Sequence, residues 1–320
     1  MITRRQSLAL IGAAATSLAM PAIRPARAAT EFRIGWQKNG VLALAKRTGA
    51  LEKRLARHGV TVTWAEFTSG PPLLEALGAG SLDFGPTGDV PPLFAQAAGG
   101  NLLYVGTYRG PSTGSAILVH KDSGLNKLED LKGRKVAFKR GSSAHNFTVK
   151  ALRKAGLSIG DVEAVDLPPP DAAAAFKTGS IDAWAIWDPY YAVAEADPHA
   201  RVLTTAAGIV DSWSFYFGNG DFTAANPDVI ADVIDELAIT GAWAQSHLDE
   251  TVAALSQITG VTAEVTRTVL TRKGADLGRV HPLTDEAITY QQALADEFHD
   301  LGILPKKLAI ADIVWRPKAS

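Results

Sequence analysis

From Phe32 onward the chain alternates between two rhythms of hydrophobic and polar positions. Short apolar runs predict strands at Phe32–Trp36, Val60–Phe67, Leu82–Phe84 and Leu102–Thr107. Between them, apolar residues at helical spacing predict helices over Val41–His58, Pro72–Leu77 and Pro91–Ala98. Ser115–His120 reads as a strand crossing into a second unit, where the order repeats. Strands are predicted there at Lys135–Phe138, Val162–Leu167 and Ala183–Ile186, and helices at Ser142–Ala155, Ala172–Lys177 and Asp188–Glu195. Strand-like Val202–Thr205 and Ser214–Phe217 follow. The remainder is helical in pattern: Asn226–Ser246, Glu250–Thr259, Ala263–Leu270 and Asp285–Leu301. Short strands separated by helices imply parallel sheets covered on both faces.

One segment occurs twice. Leu77–Asp89 reads LGAGSLDFGPTGD, and Phe176–Asp188 reads FKTGSIDAWAIWD. Gly80, Ser81, Asp83 and Asp89 align without a gap on Gly179, Ser180, Asp182 and Asp188. Each copy ends a helix at Gly-Ser, adds a short strand and places an Asp before the next helix, where Asp89 is expected to cap the helix opened by Pro91. Two such units imply two α/β lobes with a cleft between them. Crossings near residues 110–116 and 206–213 would form a two-strand hinge. The lobes would then be residues 29–113 with 210–320, and residues 114–209.

Residues 1–28 read as an export signal: Arg4-Arg5, an apolar stretch from Leu8 to Ala22, and an Ala26-Arg27-Ala28 cleavage site. The Arg pair suits the twin-arginine route, although Ser7 stands where that motif usually has an aromatic, which leaves the Sec route open. Removing the segment leaves 28 basic against 33 acidic residues, a net charge of −5. That balance argues against nucleic acid or anionic membrane as a partner. The chain has no cysteine. It therefore lacks a lipid-anchor cysteine, a thiol nucleophile and any thiolate metal ligand.

Candidate chemistry lies in the loops after the strands, where doubly wound sheets bind ligands. Gln37-Lys38-Asn39-Gly40, Ser69-Gly70-Pro71, Thr87-Gly88-Asp89 and Gly141-Ser142-Ser143-Ala144-His145-Asn146 are small, polar and placed at helix starts. Each would present N–H groups and a positive helix end to an anion. Trp187 is expected beyond a strand in the cleft, with Trp213 near the return crossing, where flat rings could hold a ligand tail. One of Trp184 and Ile186, which alternate, is expected in the core. Arg109 and Lys38 are the cations expected near the cleft. Asp89 and Asp188 could be mistaken for an acid–base pair, but their helix-start positions favour a structural role. No metal-binding His pair, Walker loop, G-x-G-x-x-G or G-x-S-x-G elbow is present. The pattern calls for no metal and no cofactor.

The segments FTSGPPLLEAL (67–77), GSLDFGPTGDVPPLFAQAAG (80–99), LKGRKVAFKRGSSAHN (131–146), IDAWAIWDPYY (181–191) and LPKK (304–307) resemble aliphatic-sulfonate-binding proteins, the periplasmic receptors of an ABC importer. The resemblance implies a type II periplasmic-binding-protein fold and a receptor, not an enzyme, which delivers alkanesulfonates to a membrane permease for sulfur acquisition. It implies sulfonate oxygens held around Gln37, Ser69-Gly70, Thr87-Gly88-Asp89 and Ser142-Ser143, with Trp187 along the tail. Arg109, His145, Asn146, Asp188 and Trp213 complete the expected site. Taurine, nitrate, bicarbonate or a phosphonate are the alternative ligands; taurine would need an acid such as Asp188 or Asp211 for its ammonium. An enzyme of the desulfinase type on this fold would need the missing cysteine. Closure about a hinge suits a monomer.

Overall fold

The computed structural model describes residues 30–277 and 280–316, so the export segment lies outside the described residues. Ten strands are named in chain order: β1 Thr30–Trp36, β2 Val60–Glu66, β3 Phe84–Gly88, β4 Leu102–Arg109, β5 Ser115–His120, β6 Lys135–Phe138, β7 Glu163–Asp166, β8 Ala183–Trp187, β9 Ala200–Thr205 and β10 Trp213–Asn219. The helices are α1 Gly40–Thr48, α2 Ala50–Leu55, α3 Gly70–Gly78, α4 Pro91–Ala97, α5 Ser143–Lys154, α6 Pro169–Lys177, α7 Tyr190–Glu195, α8 Gly220–Ala225, α9 Pro227–Ser246, α10 Leu248–Thr259, α11 Ala263–Thr271 and α12 Asp285–Asp300.

The strands form two five-stranded sheets, ordered β2-β1-β3-β10-β4 and β7-β6-β8-β5-β9. Each belongs to its own lobe, and apolar side chains pack on both of its faces. Trp184 and Ile186 are both buried, because residues two apart on β8 share one face and that face is covered by the core that includes Phe176 and Tyr191. The sheets are mixed, not purely parallel. β10 runs antiparallel to β3 and β4, and β5 antiparallel to β8 and β9. The cause is the connection between lobes: β5 and β10, the strands that follow a crossing, enter their sheets from the opposite end.

The repeat has a definite physical content. At the end of α3, the N–H of Gly80 bonds the carbonyl of Leu77 and that of Ser81 the carbonyl of Ala76, at 3.0 and 2.8 Å. At the end of α6, Gly179 and Ser180 bond Phe176 and Ala175 at 3.0 and 2.9 Å. Both are Schellman caps, and Gly80 and Gly179 supply the positive φ, 76° and 69°, that the motif requires. The next shared residue then anchors the neighbouring strand. Asp83 accepts from the backbone N–H of Arg33, and Asp182 from that of Lys135, each at 2.8 Å.

The predicted helix 41–58 is split at Gly49, whose φ of 66° ends α1 and starts α2. The third strand is shifted, running 84–88 and not 82–84. The C-terminal helices pack mainly on the first lobe: α12 joins the core with Leu73 and Phe215, and α9 and α10 join that with Phe32 and Leu42. Two chain crossings link the lobes. They are stitched where Gly110 N–H meets the Ser212 carbonyl at 2.7 Å and Ala206 N–H meets the Ser115 carbonyl at 2.9 Å. Among the described residues, no helix is long and apolar enough to cross a membrane.

Candidate functional site

A cavity of about 700 Å³ lies at the carboxyl ends of β1, β3, β6 and β8, bounded by the hinge and by helices of the first lobe. Three helices start at or beside it: α1 after Asn39, α3 after Ser69 and α5 after Ser142. In none of them does the N-cap side chain bond the first turn. Ser142 Oγ turns away to donate to the Lys139 carbonyl at 2.7 Å. Few of these helices' first-turn N–H groups can meet the cavity's contents: in α3 Pro71 and Pro72 carry no N–H, which leaves Gly70, and in α5 the His145 N–H is taken by the Ser142 carbonyl, which leaves Ser143 and Ala144, with the positive helix ends behind them.

The lobes meet across this cleft. A Cβ built on Gly88 would stand 2.0 Å from Ser143 Oγ. One on Gly70 would meet Pro91 at 2.6 Å, which explains the small residue there. Asn146 Nδ2 of α5 donates to Asp89 Oδ2 at 3.0 Å, a buried bond between the lobes. Asp89 also accepts from the Tyr290 hydroxyl at 2.8 Å, and its carbonyl accepts from Gln291 Nε2 at 2.6 Å. Burial, followed by the Asp89 charge, pushes the Tyr290 hydroxyl far up, so it remains a donor. Asp89 therefore does not cap α4, whose N-cap is Val90.

Of the residues expected at the site, Gln37, Gly70, Thr87, Gly88, Asp89, Ser142, Ser143, Trp187, Asp188 and Trp213 line the cavity. Gln37 is held by donating Nε2 to the Pro86 carbonyl at 3.0 Å. Thr87 donates to the Gly88 carbonyl at 2.9 Å. Ser69, Arg109, His145 and Asn146 stand outside the wall. Ser69 is buried at the start of α3. Arg109 points away, pairing with Asp211 at 2.7 Å and Glu286 at 3.6 Å while lying over the Trp213 ring at 5.4 Å. His145 is stacked on Phe138 and meets Phe298 edge-on; burial pushes its pKa down to about 4, so it is neutral at pH 7. Lys38, which lines the cavity, pairs with Glu66 at 3.4 Å.

Sequence reasoning missed the partners of the two repeat carboxylates and the far wall of the cavity. Asp188 is gripped by Arg272, with Nε 2.5 Å from Oδ2 and the other guanidinium nitrogen 3.2 Å from Oδ1. Arg272 also reaches Glu195 at 2.8 Å and lies 4.0 Å over the Tyr191 ring. Burial pushes the Asp188 carboxyl above its usual range against the pull of that guanidinium. Tyr108 and the hinge residues Ser112 and Ser115 also line the cavity, as do residues of α9, α10 and α11. Gln291 was visible as a polar residue on an otherwise apolar helix face, but nothing local named its partner. Among the described residues, no cluster of His, Asp or Glu could hold a metal.

Residues 28–263 match the NMT1-like family. The chain is 39% identical to the aliphatic sulfonates-binding protein of Escherichia coli (strain K12), covering 89% of each. It is 34% identical to the aliphatic sulfonates-binding protein of Bacillus subtilis (strain 168), covering 89% of this chain and 85% of that one. The alkanesulfonate-binding protein of Xanthomonas axonopodis pv. citri, solved bound to MOPS, superposes with a TM-score of 0.83 at 40% identity, over 90% of this chain and 98% of that one.

Proposed function

The chain belongs to the NMT1-like family alongside the aliphatic-sulfonate-binding proteins, and from that membership we propose how it works: two lobes close on an organosulfonate, and the closed form is presented to an ABC importer. It is a binding protein with a periplasmic-binding-protein fold, not an enzyme. The observation that carries the ligand reading is the convergence of three helix N-termini, from both lobes, on a cavity whose far wall is apolar. A sulfonate is a permanent anion at any physiological pH, so the site needs fixed donors and no proton-matching group. The first-turn N–H groups of α1 and α5 and the Gly70 N–H of α3, whose next two residues are prolines, replace the water around its oxygens with Thr87 and Ser143. Trp187 and Trp213 line the path of the tail.

In this scheme Ser69, His145 and Asn146 position the donor loops, and Asp89 holds α5 to the first lobe. In this reading residues 29–113 and 210–320 form one lobe and 114–209 the other, and they close about the crossings near 110–116 and 206–213. The signal read at residues 1–28 would deliver a monomer to the periplasm, where the closed shape engages the permease. Taurine fits less well, because Asp188 and Asp211, the acids that could receive its ammonium, are committed to Arg272 and Arg109.

Thermal melting with alkanesulfonates, taurine, sulfate, nitrate and bicarbonate tests the reading. A ligand at 100 times its Kd stabilises by about 2.7 kcal/mol, a shift of roughly 5 °C or more for a chain of this size. A shift with pentanesulfonate that sulfate does not reproduce is the expected result. A shift with nitrate or bicarbonate alone would overturn the sulfonate assignment.

A further inference from the structure

Three carboxylates are buried among the described residues: Asp83, Asp89 and Asp232. Arg33 pairs with Asp83 at 2.7 Å, and Arg54, Arg57 and His58 surround Asp232. Asp89 alone of the three has no cation against it. The donors to its side chain are the Asn146 amide and the Tyr290 hydroxyl, both neutral and both on Oδ2, while Oδ1 is buried without a partner. Asp188, at the equivalent place in the repeat, is held by Arg272. The bonds from Asn146 and Tyr290 need an acceptor, not a charge. Burying an unpaired charge costs more than burying a hydrogen-bonded neutral acceptor.

The charge stands beside the donor end of the cleft. Asp89 lines the cavity next to Thr87 and Gly88. Asn146, which it bonds in the second lobe, lies one turn beyond Ser143 in α5, about 4.5 Å along the helix axis. A head group held at the start of α5 therefore shares with this carboxylate the positive end of one helix. Lys38, the only cation among the described residues that line the cavity, is itself paired with Glu66. Two like charges this close repel in the effective dielectric of a protein, and the repulsion doubles when the ligand carries two charges.

We propose that Asp89 is a specificity-determining residue that filters ligands by charge: the cleft takes singly charged tetrahedral heads and rejects doubly charged heads of the same shape. The proposal rests on the sulfonate reading of the donor end and adds what separates a sulfonate from a phosphonate dianion. A sulfonate keeps one charge throughout the physiological range. An alkylphosphonate with the same tail offers the same three-oxygen head on carbon, but it loses a second proton near neutral pH. Repulsion from Asp89 then doubles with almost no change of shape. The titratable groups around Asp89 hold one state over that range. Burial pushes the Tyr104 and Tyr290 hydroxyls far up and His145, beside Asn146, down to about 4. Asp211 and Glu297, which face Tyr290, are paired with Arg109 and with Lys150 and Arg153.

Calorimetric titration with hexanesulfonate and hexylphosphonate, in a sulfonate-free buffer and at pH values spanning the second ionisation of the phosphonate, tests the filter. In the unmodified protein the sulfonate's affinity should stay level, while the phosphonate should weaken at least about tenfold as it becomes a dianion. Asp89→Asn keeps an acceptor for Asn146 and Tyr290 and puts an amide where Oδ1 has no partner. There the phosphonate's loss should shrink at least about tenfold relative to the sulfonate, and Asp89→Ser, also neutral, should shrink it too. Equal binding of both phosphonate charge states by the unmodified protein overturns the filter while leaving the head-group site standing. So does a neutral variant that weakens both ligands alike and leaves the pH dependence of their ratio unchanged, the mark of a purely structural Asp89. If hexanesulfonate does not bind the unmodified protein, the head-group reading fails and the filter with it.

Discussion

Removing Arg272 is the sharpest test of how the lobes hold together. Arg272 follows α11 and reaches across to Asp188 and Glu195, at the start and end of α7. The Arg272 and Asp188 side chains are each 10% exposed, so this pair is not the exposed kind that contributes little. Burial works against the guanidinium charge, but the bonds and attraction of Asp188 and Glu195 hold its pKa above the ordinary arginine value. Arg272→Ala strands two carboxylates and removes a cation from the Tyr191 face. Breaking a buried pair costs about 3–5 kcal/mol, and a desolvated cation–π contact adds about 2 kcal/mol. The open form recovers much of this, because Asp188 regains water when the lobes part. The loss therefore falls on the closing equilibrium, and we expect about 1.5–3 kcal/mol of it in ligand affinity, a weakening of roughly tenfold to over a hundredfold. Calorimetry measures that loss, and small-angle scattering with saturating ligand measures whether the compact form is still reached. Affinity within about twofold of the parent, with the same compaction, would refute the latch. A lowered melting point with unchanged affinity would also refute it, since the pair would then be stitching the fold and not closing the cleft.

Three further outcomes are expected. Gly88→Ala places a Cβ against Ser143 Oγ, and titration should show ligand binding weakened by about tenfold or more, the cost of modest overpacking; unchanged affinity would mean that the two loops do not meet this tightly around the ligand. His145 has a folded pKa of about 4 against 6.5, so stability is full above pH 6.5 and falls as the pH drops towards 4, by about 3 kcal/mol. Urea midpoints measured from pH 7 to 4 should show a shallower decline in His145→Phe. Asp232 is pulled from 3.8 to about 2, because bonds from Arg57 and His58 and the charge of Arg54 outweigh the cost of burial. Its contribution, about 2 kcal/mol, is present above pH 3.8 and lost from there down to pH 2; acid unfolding of Asp232→Asn should lack that component.

The sequence was most informative where a residue's role is met within a few positions. Gly80 and Gly179 sit where a helix must end in a left-handed turn, and Asp83 and Asp182 where a strand must be anchored, so their spacing repeats with the geometry. The last pair of the repeat shows the limit. Asp89 and Asp188 occupy equivalent positions, yet one bonds Asn146 and Tyr290, 57 and 201 residues away, and the other Arg272, 84 residues away. Those partners are set by how helices of one lobe fall against the loops of the other, which no local pattern encodes. β3 was displaced for a related reason. Its sequence FGPTG has little strand propensity, and it is strand because β1 and β10 pair with it on either side. The far wall of the cavity was illegible too, because the amphipathic patterns of α9–α11 specify that apolar faces turn inward but not which of their residues border the cleft.

Donor loops at one end and a mainly apolar far wall explain how such a site could tell a sulfonate from sulfate. A sulfonate head and sulfate differ by one substituent on sulfur: carbon in the first, a fourth oxygen in the second. Three helix N-termini from two lobes supply directions for three oxygens. The fourth substituent must point out of that cradle, along the continuous space towards Leu248, Val269 and Leu270. A methylene there sheds water at a gain. A charged oxygen in the same place exchanges water for a mainly apolar wall with few donors, at a cost of up to several kcal/mol. Discrimination then needs no clash and no additional cation; it follows from concentrating donors at one end of a cavity and apolar side chains at the other.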